Sequence, residues 1–254
     1  MIISIAQAQV FLLAFTRIMI ILAQIPIFGA MTVPSTYKIG FGILVTLIAL
    51  PWQPLLPPET PAIPVLTYAL AVIQEIIIGL LAGFAATLTF GAFQIAGRLM
   101  DAVSGFGAAQ VFNPALGEMQ SPLDTIFLEV VFLFFLIING HHTFLLGLQR
   151  TFTYLPVMSP IPALSADRLF TMTSELIRVG FQMALPVMAA LIMTDLALGL
   201  IARVAPQVQV FFLGLPLKVF IGMVGLMVTI SILMPVMGDL FRKLGGRMIQ
   251  ILGM

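Results

Sequence analysis

Of 254 residues, 61% are hydrophobic and only 8% charged, with 11 Lys and Arg against 10 Asp and Glu for a net charge of +1, and the mean hydropathy is +1.16. A soluble domain carries roughly a quarter charged residues, so water is not the solvent of this fold, and a near-neutral chain lacks the basic face that nucleic acid demands. Cysteine is absent, which excludes disulfides, thiolate catalysis and cysteine metal sites together.

Apolar runs cover Ile2–Ile25, Ile39–Leu56, Ile63–Ala96, Thr125–Leu148, Leu176–Ile201 and Val208–Val236. Most reach the ~20 residues that cross a hydrocarbon core. Their apolarity is continuous rather than alternating, which selects helices over a closed barrel. The expected fold is therefore all-α and polytopic, one membrane-class domain over residues 1–254 with about six hydrophobic helices.

The first run has no basic leader and carries Arg17 in its middle, so it reads as a retained segment rather than a cleaved signal peptide. Pro34 and Lys38 precede the second run, and Pro51, Pro54, Pro57, Pro58, Pro61 and Pro64 follow it as a stiff extended connector. The third run, 34 residues long, would measure ~51 Å as one helix and must tilt steeply, break, or leave the lipid. Within it Gly79, Gly83, Thr87 and Gly91 recur every fourth residue. Such a small-residue stripe lets another helix approach closely, either within the chain or from a neighbouring subunit.

A polar stretch from Arg98 to Asp124 contains Gly105-Phe106-Gly107-Ala108-Ala109-Gln110-Val111-Phe112-Asn113-Pro114. Its glycines and proline oppose a regular helix while its side chains stay apolar. Irregular backbone near membrane depth is tolerated only where it is buried in protein or lines a cavity. The segment reads either as a loop tucked onto its own helices or as a plug in a passage.

His141 and His142 follow Asn139 and Gly140. Adjacent residues point to different faces of a helix, and no cysteine or carboxylate cluster completes a ligand set, so the pair reads as a polar turn opening a helix rather than a metal site. A third polar stretch, Gln149 to Glu175, holds Pro156, Pro160 and Pro162.

Arg17, Glu75, Asp195 and Lys218 sit inside apolar runs, with Arg203 just behind the fifth. A charge facing lipid costs at least ~2.5 kcal/mol, so these five are expected to be buried against protein or water. They are too sparse for a proton relay, and structural pairing is the favoured reading. The tail sets Arg242, Lys243 and Arg247 against Asp239, which places the C-terminus in the cytoplasm if the helix count is even.

No phosphate-binding loop, H-E-x-x-H or G-x-S-x-G occurs, so neither an enzyme nor a cofactor or metal is expected. A secondary transporter with broken helices is one alternative class, but it would need paired repeats, and the proline-rich connector has no second copy. An accessory membrane scaffold without a pore is another.

Several strings carry a family likeness. They are Phe15-Thr16-Arg17-Ile18; Pro26, Pro34 and Lys38; Gln94-Ile95-Ala96-Gly97 leading into Asp101 and Gly105-Phe106; Asn139-Gly140-His141-His142; the stretch from Asp195 to Gln207; and Gly214-Leu215-Pro216-Leu217-Lys218. In their order and spacing the chain resembles the FliR family of flagellar type III export-gate proteins and its injectisome, SctT-like, counterparts.

The resemblance implies a bacterial inner-membrane subunit of the flagellar basal body, or of an injectisome. Helical hairpins would assemble with FliP-like and FliQ-like partners into a pore-like cone, alongside FlhB-like and FlhA-like export components. Unfolded protein substrates would pass through it, and much of the cone would lie above the lipid plane. The Phe15–Ile18 and Asp195–Lys218 regions also look similar to FliP. The resemblance further implies that Gly105 to Met119 acts as a plug, with Gly105, Phe106, Gly107, Val111, Phe112, Asn113, Pro114 and Met119 as its candidate residues. Energy for export would come from separate components.

Overall fold

The computed structural model describes residues 4–26, 33–49, 60–105, 122–162, 165–207 and 209–253. Among them are eight α-helices and no strand: α1 (Ile5–Ala23), α2 (Ser35–Ala49), α3 (Val65–Ser104), α4 (Pro122–Ile137), α5 (Gly140–Tyr154), α6 (Ala166–Val204), α7 (Val210–Arg242) and α8 (Leu244–Ile251). Four of these are long and apolar enough to cross a membrane, and α4 with α5 adds a fifth if that pair is one span.

The chain divides into two compact units, each gathered from separate stretches of sequence: Met1–Phe90, Asn139–Met172 and Phe241–Met254 form the first, and Gly91–Ile138 and Thr173–Leu240 the second. In the first unit, α1 starts with a reciprocal cap in which Ser4 Oγ accepts the Gln7 N–H at 3.2 Å and Gln7 Oε1 accepts the Ser4 N–H at 3.1 Å, satisfying two N–H groups the helix itself leaves open. Its buried residues, Ala6, Leu13, Ala14, Arg17, Ile18, Ile21 and Leu22, repeat at three- and four-residue spacing and form one stripe. Gly42 of α2 lies against the Met19 sulfur and the Phe15 ring. The Gln9 amide donates to the Ile63 carbonyl at 3.0 Å and accepts the Ile63 N–H at 2.8 Å, tying the lead-in to α3 onto α1. The short α8 buries Leu244, Gly245, Arg247, Met248, Ile249 and Ile251, packing on α5 where the Gly147 and Gly245 backbones meet.

In the second unit the end of α3 packs against α6, with Gly180 close to the Ala92 carbonyl, and against α4, where Gly97 leaves room for the Asp124 carboxylate. Gly222 of α7 sits over Leu123 of α4 and Leu191 of α6. Large apolar side chains such as Phe181, Met193 and Leu200 of α6 and Phe212, Phe220 and Met227 of α7 remain exposed in the isolated chain.

Helix lengths depart from the hydropathy reading. The run from Ile63 to Ala96 neither breaks nor stops there: α3 continues to Ser104 as 40 unbroken residues, about 60 Å. With 39 and 33 residues, α6 and α7 reach about 58 and 50 Å, against a hydrocarbon core of ~30 Å. The expected single run Thr125–Leu148 is two helices, divided at Asn139, which adopts a left-handed φ of 57°. Asparagine enters that conformation more readily than most residues, and hydropathy does not register one such residue. The helix α8 was not expected at all.

Candidate functional site

The most developed polar site lies in the first unit, around Arg17. Its side chain and that of Glu75 are both 0% exposed, with Nε donating to Glu75 Oε2 at 2.5 Å. Nη1 donates to the carbonyls of Leu155 at 2.6 Å and Thr151 at 3.2 Å, and Nη2 to that of Pro156 at 3.4 Å. The guanidinium also lies 4.5 Å from the centroid of the Phe152 ring. These carbonyls belong to the last turn of α5 and the turn beyond it, where the helix dipole favours a cation; those of Thr151 and Pro156 also accept the N–H groups of Leu155 and Ser159.

Glu75 completes the cage from the other side, its Oε1 accepting the N–H of Met158 at 3.0 Å. Met158 stands at a φ of 68°, a conformation that costs on the order of 1 kcal/mol for a side chain of this kind and is held by this bond. One ion pair thus joins α1, α3 and the end of α5. Among the described residues its hydrogen bonds run to each other and to backbone, an arrangement that fixes helices rather than carrying protons.

Directly beside this cage the small-residue stripe of α3 faces α1. A methyl group on Gly79 would stand 3.1 Å from the Arg17 carbonyl, and one on Gly83 would overlap the Gln24 amide. Gln24 Nε2 donates to the Gly79 carbonyl at 3.2 Å, and Thr87 Oγ1 donates to the Gln24 carbonyl at 3.1 Å. The stripe is occupied within the chain as far as Thr87, whereas Gly91 has nothing within 4 Å of where a Cβ would stand.

In the second unit Lys218 of α7 pairs with Asp195 of α6 at 2.6 Å, with side-chain exposures of 16% and 47%. Lys218 Nζ also donates to the Val103 carbonyl at 3.4 Å, in the last turn of α3, and lies close to Gly105, which ends the helix at a φ of 83°. Glycine suits that left-handed position because it carries no Cβ. Asp195 and Arg203, both expected to be buried, are exposed in the isolated chain. Arg203 lies in the last turn of α6, where a cation complements the helix dipole and reaches past the apolar run. The plug candidates Phe106, Gly107, Val111, Phe112, Asn113, Pro114 and Met119 lie outside the described residues, and Gly105 alone of that set is described.

At the start of α5 the His142 N–H bonds to the Asn139 carbonyl at 2.9 Å, and the His141 and His142 rings meet edge-on with centroids 4.3 Å apart. Among the described residues no three His, Asp or Glu side chains gather to hold a metal. Sequence reasoning missed the turn from Leu155 to Met158. Its available signal was Pro156 directly after a helical stretch, which marks a helix end with open carbonyls for a buried arginine.

Long apolar helices, a fully buried Arg17–Glu75 ion pair and exposed apolar faces on α6 and α7 define a polytopic helical membrane protein. The chain belongs to the bacterial export proteins, family 1, matching that family over residues 8–244. It is 34% identical to the "Flagellar biosynthetic protein FliR" of Bacillus subtilis, an alignment that takes in 91% of this chain and 90% of the relative. With the protein of the same name from Escherichia coli it shares 29% identity over 90% of this chain and 87% of the relative. The "Yop proteins translocation protein T" of Yersinia pestis is 32% identical over 60% of this chain and 59% of its own length.

Proposed function

We propose that this protein is a non-enzymatic subunit of a type III protein-export gate in the bacterial inner membrane, serving the flagellar basal body. It would assemble with FliP-like and FliQ-like subunits, next to FlhB-like and FlhA-like components, into a conduit for unfolded substrates. The observation that carries the reading is the family match over residues 8–244 in a chain whose helices outrun the bilayer. An apolar helix of about 60 Å crosses a core of ~30 Å with roughly half its length to spare, and the spare half needs protein to cover it. The flagellar assignment is supported over the injectisome one by extent: the flagellar relative from Bacillus subtilis aligns with 91% of this chain and the Yersinia protein with 60%.

In this reading the connector from Gly105 to Met119 is the plug. Phe106 and Phe112 supply bulk, Pro114 opposes a continuous helix, and apolar side chains at a constriction exclude water and ions by dewetting. Lys218, paired with Asp195 and bonded to the Val103 carbonyl, anchors the backbone from which the connector departs. The test is ion conductance of cells expressing the assembled complex. Deleting Phe106 to Phe112 is expected to leave assembly intact and make the membrane leaky, with a charge at Phe112 giving a smaller leak. A deletion within Pro51 to Pro64 serves as the control. A complex that assembles without Phe106 to Phe112 and stays as tight as the parent overturns the plug assignment.

A further inference from the structure

Glu129 stands midway along α4 (Pro122–Ile137), roughly 10–12 Å from either end of that apolar helix. A glutamate side chain is too short to reach past either end. The helix has two faces. Leu123, Phe127, Val131 and Phe135 recur every fourth residue and are buried, Leu123 against Gly222 of α7. Glu129 lies about 200° round the helix from Phe127 and is exposed. Beside it Leu133, Leu136 and Ile137 are 60%, 50% and 76% exposed.

Within the second unit nothing answers this charge. Among the described residues the Glu129 carboxylate has neither a hydrogen bond nor an ion pair. The cations of the unit are Arg98, Arg178, Arg203 and Lys218. Lys218 is held by Asp195 and the Val103 carbonyl, and Arg98 lies near Asp124. Arg178 and Arg203 belong to α6 and make no ion pair with Glu129.

The surroundings restrict what covers this face. Lipid over a carboxylate in the middle of an apolar helix is costly. A water-lined wall would be polar, whereas large apolar side chains frame Glu129, as they do at surfaces that meet protein. Protein that covers a carboxylate has to compensate its charge. We propose that the α4 face around Glu129 receives an apolar helix of another subunit that carries a Lys or Arg opposite Glu129, closing an ion pair between the two chains. The inference rests on the reading of this chain as one subunit of a multi-protein assembly, and adds the sign of the charge its neighbour brings. Leu133, Leu136 and Ile137 supply contact area, while the pair fixes register and partner choice, because a helix without a cation at that level leaves Glu129 unpaired.

Glu129→Gln and Glu129→Lys are made in the full-length protein and co-expressed with its partner subunits. Made without partners, both variant chains should reach the level of the parent, since the carboxylate is exposed and unbonded within the chain. Recovery of the assembled complex by size-exclusion chromatography is expected to fall at least about tenfold for both, as each leaves a covered cation without its counter-charge. Replacing one Lys or Arg of a partner subunit by Glu should restore Glu129→Lys. A photoreactive benzophenone amino acid in place of Leu133 should attach to a partner subunit. Normal recovery with Glu129→Gln would show that charge is not what the neighbour reads, and normal recovery with Glu129→Lys that the site faces water. Either result, cross-links from position 133 to lipid, or failure of every partner Lys and Arg to rescue when replaced by Glu overturns the inference and leaves the proposed function standing. A parent chain recovered alone overturns both.

Discussion

Removing the Glu75 carboxylate tests the cage around Arg17. In Glu75→Ala two donors lose their acceptor together: the buried Arg17 Nε, now 2.5 Å from Oε2, and the part-buried Met158 N–H, now 3.0 Å from Oε1. An unsatisfied buried N–H costs about 1–3 kcal/mol, and a buried charge stripped of its counter-ion about 3–5 kcal/mol. The carbonyls of Leu155, Thr151 and Pro156 still receive Nη1 and Nη2 and solvate part of the remaining charge. Glu75→Ala should therefore destabilise by about 3–5 kcal/mol, the lower figure already enough to cut steady-state abundance severalfold. Arg17→Lys keeps the charge but lacks the planar fork that reaches three carbonyls, and is expected to lose about 2 kcal/mol. The assay is thermal unfolding of the detergent-solubilised complex, with Arg17→Met and the Arg17→Met/Glu75→Ala double variant closing a cycle. A coupling energy below ~0.5 kcal/mol, the range seen for residues that do not interact, would refute the cage as a joint between α1, α3 and α5.

Glycines on two helices separate packing from open surface. Gly147→Ala places a methyl 2.7 Å from the Gly245 Cα and should cost about 1–3 kcal/mol in unfolding experiments. Gly91→Ala meets nothing within 4 Å and should stabilise the helix by about 0.5–1 kcal/mol; reduced recovery of the complex at unchanged chain stability would instead mark Gly91 as a subunit contact. Lys218→Leu removes a partly exposed pair worth only about 0–1 kcal/mol, so its main effect should fall on recovery of the assembled complex, read by size-exclusion chromatography. A large loss of chain stability from that variant would show that the pair holds the second unit together.

The helical membrane class was legible because lipid-exposed backbone can satisfy itself only in helices or a closed barrel, and the continuous apolar runs select helices. The presence of charge at Arg17, Glu75 and Lys218 was equally plain. Which partner each takes was not, since Arg17 and Glu75 stand 58 residues apart and nothing local couples them. The split at Asn139 escaped because one left-handed residue barely alters a hydropathy window. The helix α8 escaped because it has only 8 residues and mixes glycines with polar side chains, so its burial depends on the groove that α5 provides. The division of Asp195 and Lys218 from the fully buried Arg17 pair depends on where neighbouring helices end. Apolar context predicts that a charge avoids lipid; it does not say whether protein covers it within one chain.

The central claim is that this chain works as one subunit of a multi-protein gate. Affinity purification of the tagged full-length protein from its native membranes in mild detergent, followed by mass spectrometry of the intact assembly, tests it most directly. The account predicts one complex containing FliP-like and FliQ-like proteins, with little of the chain recovered alone because α6 and α7 expose apolar faces. A monodisperse, thermally stable monomer from the same membranes, with neither partner bound, would contradict it.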